Sequence, residues 1–449
     1  MNFDRMKDTL VGAANRAGLK EYEIYAMSVK NTSTETLKQE ISSFSSGTGG
    51  GISFRCIVNG KMGYASTELL TEAEMEALVD RAMDNAANIE NEDEVFIYSG
   101  SESYEPKNAP EAELPDAATM KKWALDLQKA TYACHPSVAD GTQSGAMAYE
   151  AETMLCNSHG LELHNHVATA GVYVEAVVKE GEEAEYGVSI ANVSGSDPAE
   201  LSTLPARAVN EAREKLNAGA VASGKTDCVI SAKQMRALLA TFSSIFSAKM
   251  VQHGLSLLGG KTGEKIAADC VTITDDPRYP ACPIQTSFDG EGVATYRKNV
   301  IEGGTLKTLL YDLTTAKKDG VTSTGNGQRD SYAAPVGISP YCFYLEAGDK
   351  TPDQLFEMVG DGLYITELKG MHAGANAVTG DFSLESAGFV IRDGKRAEAV
   401  KTFTIAGNFY ELLKSIEALS DTVDFGFFGG FTNFGAPAVL LRGVSVAGK

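Results

Sequence analysis

The histidines are the first residues to consider for chemistry, and the chain has only six of them in 449 positions. His253 lies in the segment SAKMVQHGLS, Ser247 to Ser256, whose pattern predicts an amphipathic helix. A zinc peptidase helix carries two histidines about one turn apart and a glutamate as general base. This segment has one histidine, with Lys249 four residues before it. By itself it therefore predicts no zinc site.

A second histidine pair, His164 and His166, occurs in the stretch LHNH. On a strand, alternate residues point to the same face, so both rings would share a face. Two ligands on a strand could hold a metal ion, but a solvated strand face is the commoner outcome and is the interpretation that we favour.

Signatures of nucleophilic catalysis and phosphate binding are missing from the sequence. There is no G-x-S-x-G turn and no G-x-x-x-x-G-K-[ST] loop. Cys134 and His135 are adjacent, but neighbouring residues on a regular element face apart. The glycine-rich stretch SGTGGG, Ser46 to Gly51, lies between two predicted strands and lacks a following helix that would bind phosphate, so we expect a flexible turn.

Two polar loops of the C-terminal half have the composition of ligand-binding loops. They span residues 322–335 (TSTGNGQRDSYAAP) and 370–389 (GMHAGANAVTGDFSLESAGF) and mix glycine with hydroxyl, amide and charged side chains. The second loop resumes strand alternation and could offer an edge to an extended peptide. Its candidate peptide-binding residues are His372, Thr379, Asp381 and Ser383; a long solvated loop is the alternative.

The elements that position the candidate residues begin with the N-terminal region. Its pattern predicts a helix, four strands and a helix. The first two strands are split near Lys30 and Asn31, and Asn59-Gly60 is a strong hairpin signal. Thr71 with Glu74 three residues later predicts a capped helix start.

Further along, we expect a helix at 117–132 and another at about 198–217 that begins at Asp197-Pro198. A long helix is predicted from Ser231 to about Leu258, where Gly259-Gly260 would end it. Hairpins at Gly303-Gly304 and Asp393-Gly394 and a short helix at about 408–417 complete the prediction.

Strands in meandering antiparallel order, flanked by helices, predict an α+β fold rather than a doubly wound one. We divide the chain into an N-terminal α+β domain (1–97), a linker rich in proline, serine and acids (98–116), a middle α+β region packed with the first (117–222), and a β-rich C-terminal domain (223–449). This N-terminal mixture of antiparallel sheet and helix followed by a β-rich domain is the predicted architecture.

Composition excludes several functional classes. The net charge of −21 would repel a nucleic acid, and no run of about 18 apolar residues predicts a membrane helix. The polar, amphipathic N-terminus lacks a signal-peptide pattern, which favours a cytoplasmic protein. The seven cysteines are scattered without a C-x-x-C pair, so we expect reduced thiols.

Several ordered blocks of the C-terminal half resemble a known family. They are GGKTGEKIAADCVTITDDP, FDGEGVATYRKNVIEGGTLKTLLYD, STGNG, NAVTGDFSLESAGFVIRDGK and TIAGNFYELLKSIEALS. In this order they resemble the TldD/PmbA family, also called peptidase U62 or "modulator of DNA gyrase", and within it the PmbA (TldE) branch. The resemblance is strong after about residue 225 and weaker before it.

The resemblance implies a cytoplasmic metallopeptidase built from two related subunits, which degrades unfolded or leader-type peptides. The TldD-type subunit holds zinc on an H-E-x-x-x-H helix and a later cysteine, whereas the PmbA-type subunit lacks these ligands. In this register Ala248 stands at the first histidine, Lys249 at the glutamate and His253 at the second histidine. No cysteine follows Cys342. A methyl group cannot ligate a metal, and an ammonium group repels a dication.

The resemblance thus implies a non-catalytic subunit without its own zinc, which binds a TldD-type partner or, alone, forms a homodimer, and which contacts an extended peptide. Two alternatives stay open. One is an independent hydrolase that uses His253, His372 or Asp381. The other is a regulatory protein-binding module of the gyrase-modulator type.

Overall fold

The structure, a computed structural model, describes residues 3–90, 94–109, 112–193 and 201–449. It confirms the predicted α+β class, with sheets in both the N-terminal and the C-terminal regions. The predicted helix start at Asp197-Pro198 lies outside the described residues. In the described ranges, no helix is both long enough and apolar enough to cross a membrane.

The first half of the chain contains long strands and the helices that cover them. The helices are α1 (Phe3–Arg16), α2 (Glu72–Asn88), α3 (Ala117–Cys134) and α4 (Leu204–Glu214). The strands are β1 (Tyr22–Leu37), β2 (Glu40–Val58), β3 (Lys61–Thr67), β4 (Gln143–Asn157), β5 (Glu162–Glu180) and β6 (Glu183–Val193). They form one antiparallel sheet in the order β3-β2-β1-β4-β5-β6.

The second half is dominated by shorter strands. The helices are α5 (Ala232–Phe242), α6 (Ala248–Gln252), α7 (Leu313–Asp319), α8 (Pro352–Val359), α9 (Met371–Gly374) and α10 (Phe409–Ser415). The strands are β7 (Gly224–Ile230), β8 (Ile273–Asp275), β9 (Lys298–Glu302), β10 (Thr305–Leu306), β11 (Gly327–Gln328), β12 (Gly337–Ile338), β13 (Cys342–Leu345), β14 (Gly362–Lys369), β15 (Asp381–Arg392), β16 (Lys395–Asn408), β17 (Ile416–Leu419), β18 (Asn433–Gly435) and β19 (Val439–Ala447).

Two larger sheets organise this half. One has the order β10-β9-β8-β13-β18, and the other has the order β16-β15-β14-β7-β19-β17. Because β16 also pairs with β19, strands β14, β15, β16, β19 and β7 close into a ring. A large apolar core fills the space between the ring, α5, α10 and the β8–β13 sheet.

The N-terminal sheet uses its two faces differently. Ile24 and Ala26 of β1 belong to the core beneath α1 and α2, whereas Tyr25 and Met27 pack with Phe288 of the C-terminal half. This alternation follows from the two-residue period of a strand. Both faces of the sheet are therefore covered, and the second face forms the contact between the two halves of the chain.

The predicted hairpin turns and the predicted helix cap are confirmed, because each depends only on residues close together in the sequence. Asn59-Gly60 joins β2 to β3, Gly303-Gly304 joins β9 to β10, and Asp393-Gly394 joins β15 to β16. The Thr71 side chain accepts a hydrogen bond from the N–H of Glu74 at the start of α2.

The prediction of four strands in the opening region was wrong, because β1 continues through Lys30 and Asn31 and the SGTGGG stretch lies inside β2. The chain instead turns at Lys38 and Gln39, which have positive φ. Glycine is needed within β2 for a close approach rather than for a turn. A Cβ at Gly51 would meet the backbone oxygen of Thr67, and would lie 2.6 Å from a ring carbon of Tyr332.

The segment 98–116, predicted to be a linker, has neither helix nor strand in its described residues. It nevertheless packs on both halves of the chain. In the N-terminal half, the Asn157 side-chain amide donates to the Tyr98 carbonyl oxygen at 2.7 Å. In the C-terminal half, the Tyr104 hydroxyl donates to the Gly292 carbonyl oxygen at 2.8 Å, and the Asn108 N–H donates to Gln285 Oε1 at 2.9 Å.

Substitution of Gly51 by alanine should therefore destabilise the fold, because the new methyl group displaces Thr67 or Tyr332. We expect Gly51→Ala to lower the free energy of unfolding by about 1–3 kcal/mol, measured by urea denaturation. Gly47→Ala is the matched control on the same strand, because a Cβ there meets no atom within 4 Å. Equal stability of the two variants would contradict the close approach.

Candidate functional site

A cleft of about 550 Å³ lies between the two halves of the chain. Its N-terminal wall includes Arg55 of β2 and Tyr64 of β3. Its C-terminal wall includes α6, the start of α7 and the first polar loop, residues 322–335, through Arg329 and residues 333–335. This is the size of pocket that accommodates a small ligand or the end of a peptide, typically about 300–1,000 Å³.

The helix that carries Lys249 and His253 is much shorter than predicted. Helix α5 ends at Phe242, a 3₁₀ turn covers residues 243–246, and Ser247 is extended. At this point Ala248 N–H donates to the Leu310 carbonyl oxygen at 2.9 Å, and Leu310 N–H donates to the Phe246 carbonyl oxygen at 2.8 Å. The single helix predicted from Ser231 to Leu258 was wrong, because this strand-like pairing interrupts it.

The structure brings Lys249 and His253 together in the cleft but turns Ala248 away. Lys249 and His253 are four residues apart, which places them on one side of a helical turn. Both are exposed and line the cleft. Ala248 is fully buried in the C-terminal core. Of the three positions that the resemblance assigns to the zinc helix, two therefore face the cleft.

Side chains suited to binding a metal do not gather in the described parts of the chain. Within those ranges, no three His, Cys, Asp or Glu residues are arranged so that they could hold a metal ion. His164 and His166 lie on β5, where their Nε2 atoms contact Glu162 at 3.3 Å and Glu150 at 3.1 Å. All seven cysteines are free thiols.

Behind the cleft, a buried carboxylate holds two arginines. Glu23 of β1 is 1% exposed and lies opposite Arg55 of β2 in the sheet register. Its Oε2 contacts Arg55 at 2.8 Å, and its Oε1 contacts Arg329 at 2.6 Å. Arg329 also donates from Nε to the Gly290 carbonyl oxygen at 2.8 Å, and its guanidinium lies over the ring of Tyr25 at 4.5 Å. These contacts join the N-terminal sheet to the C-terminal half.

Two further buried carboxyl groups, Asp289 and Glu291, adjoin this cluster. Asp289 accepts hydrogen bonds from the N–H groups of Glu291, Val293 and Gly327 at 2.8–3.0 Å. Glu291 accepts one from the N–H of Leu313 at 2.8 Å and lines the cleft. Burial raises the pKa of Asp289, and burial together with the charge of Asp289 raises the pKa of Glu291. The wall of the cleft therefore holds a proton near neutral pH.

Sequence reasoning missed Glu23, Arg55, Asp289 and Glu291 as site residues. Asp289 and Glu291 belong to the block FDGEG, and Arg329 follows STGNG, so two of the blocks that carry the resemblance converge here. A charged residue in a glycine-rich stretch normally predicts a solvated loop. These charged groups are buried because the folded chain packs distant segments around them, and a local sequence pattern does not reveal this.

The candidate peptide-binding residues His372, Thr379, Asp381 and Ser383 do not line this cleft. They are exposed on or beside α9 and β15. Hydrogen bonds from the side chains of Asn408, at 2.9 Å, and Thr379 lower the pKa of Asp381.

The predicted strand edge at these residues is already paired. β16 pairs with one side of β15 from Asp381 to Ser383. On the other side Ala375 bridges to Phe382, and Asn376 N–H donates to the Asp381 carbonyl oxygen at 2.8 Å. Peptide binding through the exposed side chains of this region stays a prediction.

The raised pKa of Glu291, about 8, makes stability depend on pH. Its ordinary value is about 4.3, so between these pH values the folded chain holds a proton that the unfolded chain releases. The contribution of Glu291 to the free energy of unfolding is fully present below about pH 4.3. It decreases as the pH rises and is lost once the pH has passed about 8, with a limiting slope of about 1.4 kcal/mol per pH unit.

We expect Glu291→Gln to remove this slope, so that the variant gains stability relative to the parent chain between pH 5 and 8, as followed by urea denaturation. Glu302→Gln is the control, because a hydrogen bond from Lys307 lowers the pKa of Glu302. Parallel curves for Glu291→Gln and the parent chain would contradict the assignment.

The burial of Ala248 predicts the outcome of restoring a histidine at this position. Ala248→His should lower the free energy of unfolding by about 1–3 kcal/mol because the core has no room for the ring. Added zinc should not raise the melting temperature of this variant. Lys249→Gln, on the exposed side of the same helix, should change stability by less than about 0.5 kcal/mol. A zinc-dependent rise for Ala248→His would show that this position can reach the cleft.

Comparison with known proteins gives a consistent assignment. Residues 22–86 match PmbA/TldA metallopeptidase domain 1, residues 104–216 the central domain and residues 223–448 the C-terminal domain. A metalloprotease of Methanothermobacter thermautotrophicus is 27% identical over 450 residues, which cover 95% of this chain and 96% of that protein.

Solved structures share the whole fold. A candidate modulator of DNA gyrase from Thermotoga maritima is 26% identical with a TM-score of 0.89, covering 99% of this chain and 100% of that one. TldE from Thermococcus kodakarensis shares the fold at 23% identity, with a TM-score of 0.87 and coverage of 98% and 99%. The chain therefore belongs to the PmbA/TldD metallopeptidase family, in agreement with the PmbA/TldE-like resemblance of its sequence blocks.

Proposed function

We propose that this chain is the non-catalytic, PmbA/TldE-like subunit of a two-subunit metallopeptidase that processes unfolded or leader-type peptides. The observation that carries the proposal is the short helix α6. The position that the resemblance gives to the first zinc ligand is a buried alanine, and the position of the general base is Lys249. His253 belongs to no group of three or more His, Cys, Asp or Glu residues in the described ranges that could hold a metal ion. A single imidazole does not hold zinc at useful affinity.

In this proposal the zinc and the general base belong to a TldD-type partner. This chain supplies assembly surfaces and part of the peptide-binding surface, and the complex works in the cytoplasm. The acidic composition and the seven free thiols are consistent with that compartment.

A second candidate function is supported by one feature of the cleft. Glu291 has a raised pKa and lines the same cleft as His253, which is an arrangement found at general acid–base sites. An independent hydrolase would therefore use Glu291 or His253 without a partner and without zinc.

The two functions differ in what the isolated chain does. We expect the purified chain to contain no stoichiometric zinc by elemental analysis and to leave an unfolded peptide intact. Mixed with a TldD-type subunit, it should elute as a hetero-oligomer in size-exclusion chromatography and raise hydrolysis above that of the partner alone. A chelator should abolish this activity.

The partner stripped of zinc before mixing is the control, since it separates assembly from catalysis. Peptide hydrolysis by the isolated chain that survives the chelator and disappears in Glu291→Gln would establish the second function instead. Failure to associate with a TldD-type subunit would refute the first.

A further inference from the structure

We propose that the cleft binds a peptide carboxylate, either at the C-terminus or on an acidic side chain, through the ammonium group of Lys249. This rests on the proposed function only in taking a peptide as the ligand. Lys249 stands where the resemblance places the glutamate that acts as general base. In this proposal it binds the peptide instead.

Lys249 is available to a ligand. It is exposed and lines the cleft, and its ammonium group has no hydrogen bond or ion pair with any residue that the structure describes. Its helix is held in place independently, because Gln252 Nε2 donates to the Thr315 carbonyl oxygen and to Asp319 Oδ1, both at 2.9 Å. The ammonium group therefore projects from an anchored turn.

The acidic residues that line the cleft do not neutralise this charge. Glu94 pairs with Lys317 at 2.7 Å. Asp312 Oδ1 accepts both the N–H and the hydroxyl of Thr315 at 2.7 Å. Burial and the charge of Asp289 raise the pKa of the third carboxyl group, on Glu291, so it holds a proton near neutral pH. Glu94 is thus paired with another lysine, Asp312 caps α7 and Glu291 is uncharged, so none of the three forms an ion pair with the ammonium group of Lys249.

Neighbouring groups reinforce the preference for an anion. His253 lies on the same side of the turn, and Arg55 and Arg329 line the cleft wall. Both guanidinium groups contact the carboxylate of Glu23. Since the whole chain carries a net charge of −21, its long-range field repels anions. An anion can therefore bind in the cleft only if the attraction of the nearby cationic side chains exceeds this repulsion.

The remaining surface of the cleft suits a peptide rather than a small inorganic anion. Met62, Phe96 and Val336 line it together with the polar groups, so an apolar side chain next to the bound carboxylate would find apolar contacts. The volume of about 550 Å³ admits the last residues of an extended chain.

The test uses the full-length chain and three fluorescently labelled peptides of one unfolded sequence with an apolar penultimate residue. The first ends in a free carboxylate, the second in an amide, and the third in an amidated aspartate. Fluorescence anisotropy gives the affinities. We expect the free acid to bind about ten-fold or more tightly than the amide, the range for a charge-assisted hydrogen bond. Comparison of the second and third peptides tells whether an acidic side chain serves as well.

Lys249→Ala should abolish the preference for a carboxylate, and Lys249→Arg should retain most of it. Lys129→Ala is the matched control: Lys129 is an exposed lysine of α3, and its removal changes the net charge equally. Circular dichroism confirms that each variant is folded.

Equal affinity of the parent chain for the acid and both amides would overturn the proposal, as would unaltered preference in Lys249→Ala or no binding of any peptide at millimolar concentration. These outcomes are independent of assembly. A chain that joins a TldD-type subunit but shows no carboxylate preference refutes only the Lys249 site. A chain that prefers carboxylates but never associates refutes only the subunit role.

Discussion

The carboxylate of Glu23, held between Arg55 and Arg329, is the contact on which the relation between the two halves depends. A buried carboxylate is tolerated only when its charge and lone pairs are satisfied, and here two guanidinium groups satisfy them from different parts of the chain. Arg55 comes from the neighbouring strand, whereas Arg329 comes from a loop about 300 residues away. The strand, the loop and the cleft wall between them are therefore positioned together.

The same cluster sets the electrostatics of the cleft. Three carboxyl groups, Glu23, Asp289 and Glu291, lie near two arginines, so full ionisation would leave a buried negative charge without compensation. Burial raises the pKa of Asp289, and burial together with the charge of Asp289 raises the pKa of Glu291, so that the retained proton relieves this cost. With Glu291 protonated, this carboxyl group adds no negative charge to the cleft that Lys249 lines.

At the positions that the sequence resemblance aligns with a zinc-binding helix, this chain carries Ala248, Lys249 and His253. The pairing of Ala248 with Leu310 separates helix α6 from α5, and α6 presents Lys249 and His253 from a turn anchored on α7. An ammonium group in that position opposes a dication but attracts a carboxylate. This difference connects the proposed role as a partner subunit with a direct part in holding the peptide.

The sequence alone determined the hairpin turns. Asn59-Gly60, Gly303-Gly304 and Asp393-Gly394 form their hairpins because two adjacent residues supply the required backbone angles, and the ordered blocks were enough to predict the family. The α+β class was also predictable. Tertiary structure decided that β1 and β2 run unbroken, and Gly51 of β2 serves a close approach to Thr67 and Tyr332. It also broke the long helix at Ser247 and buried Glu23, Asp289 and Glu291. These features depend on contacts between residues far apart in the chain, so no local pattern records them.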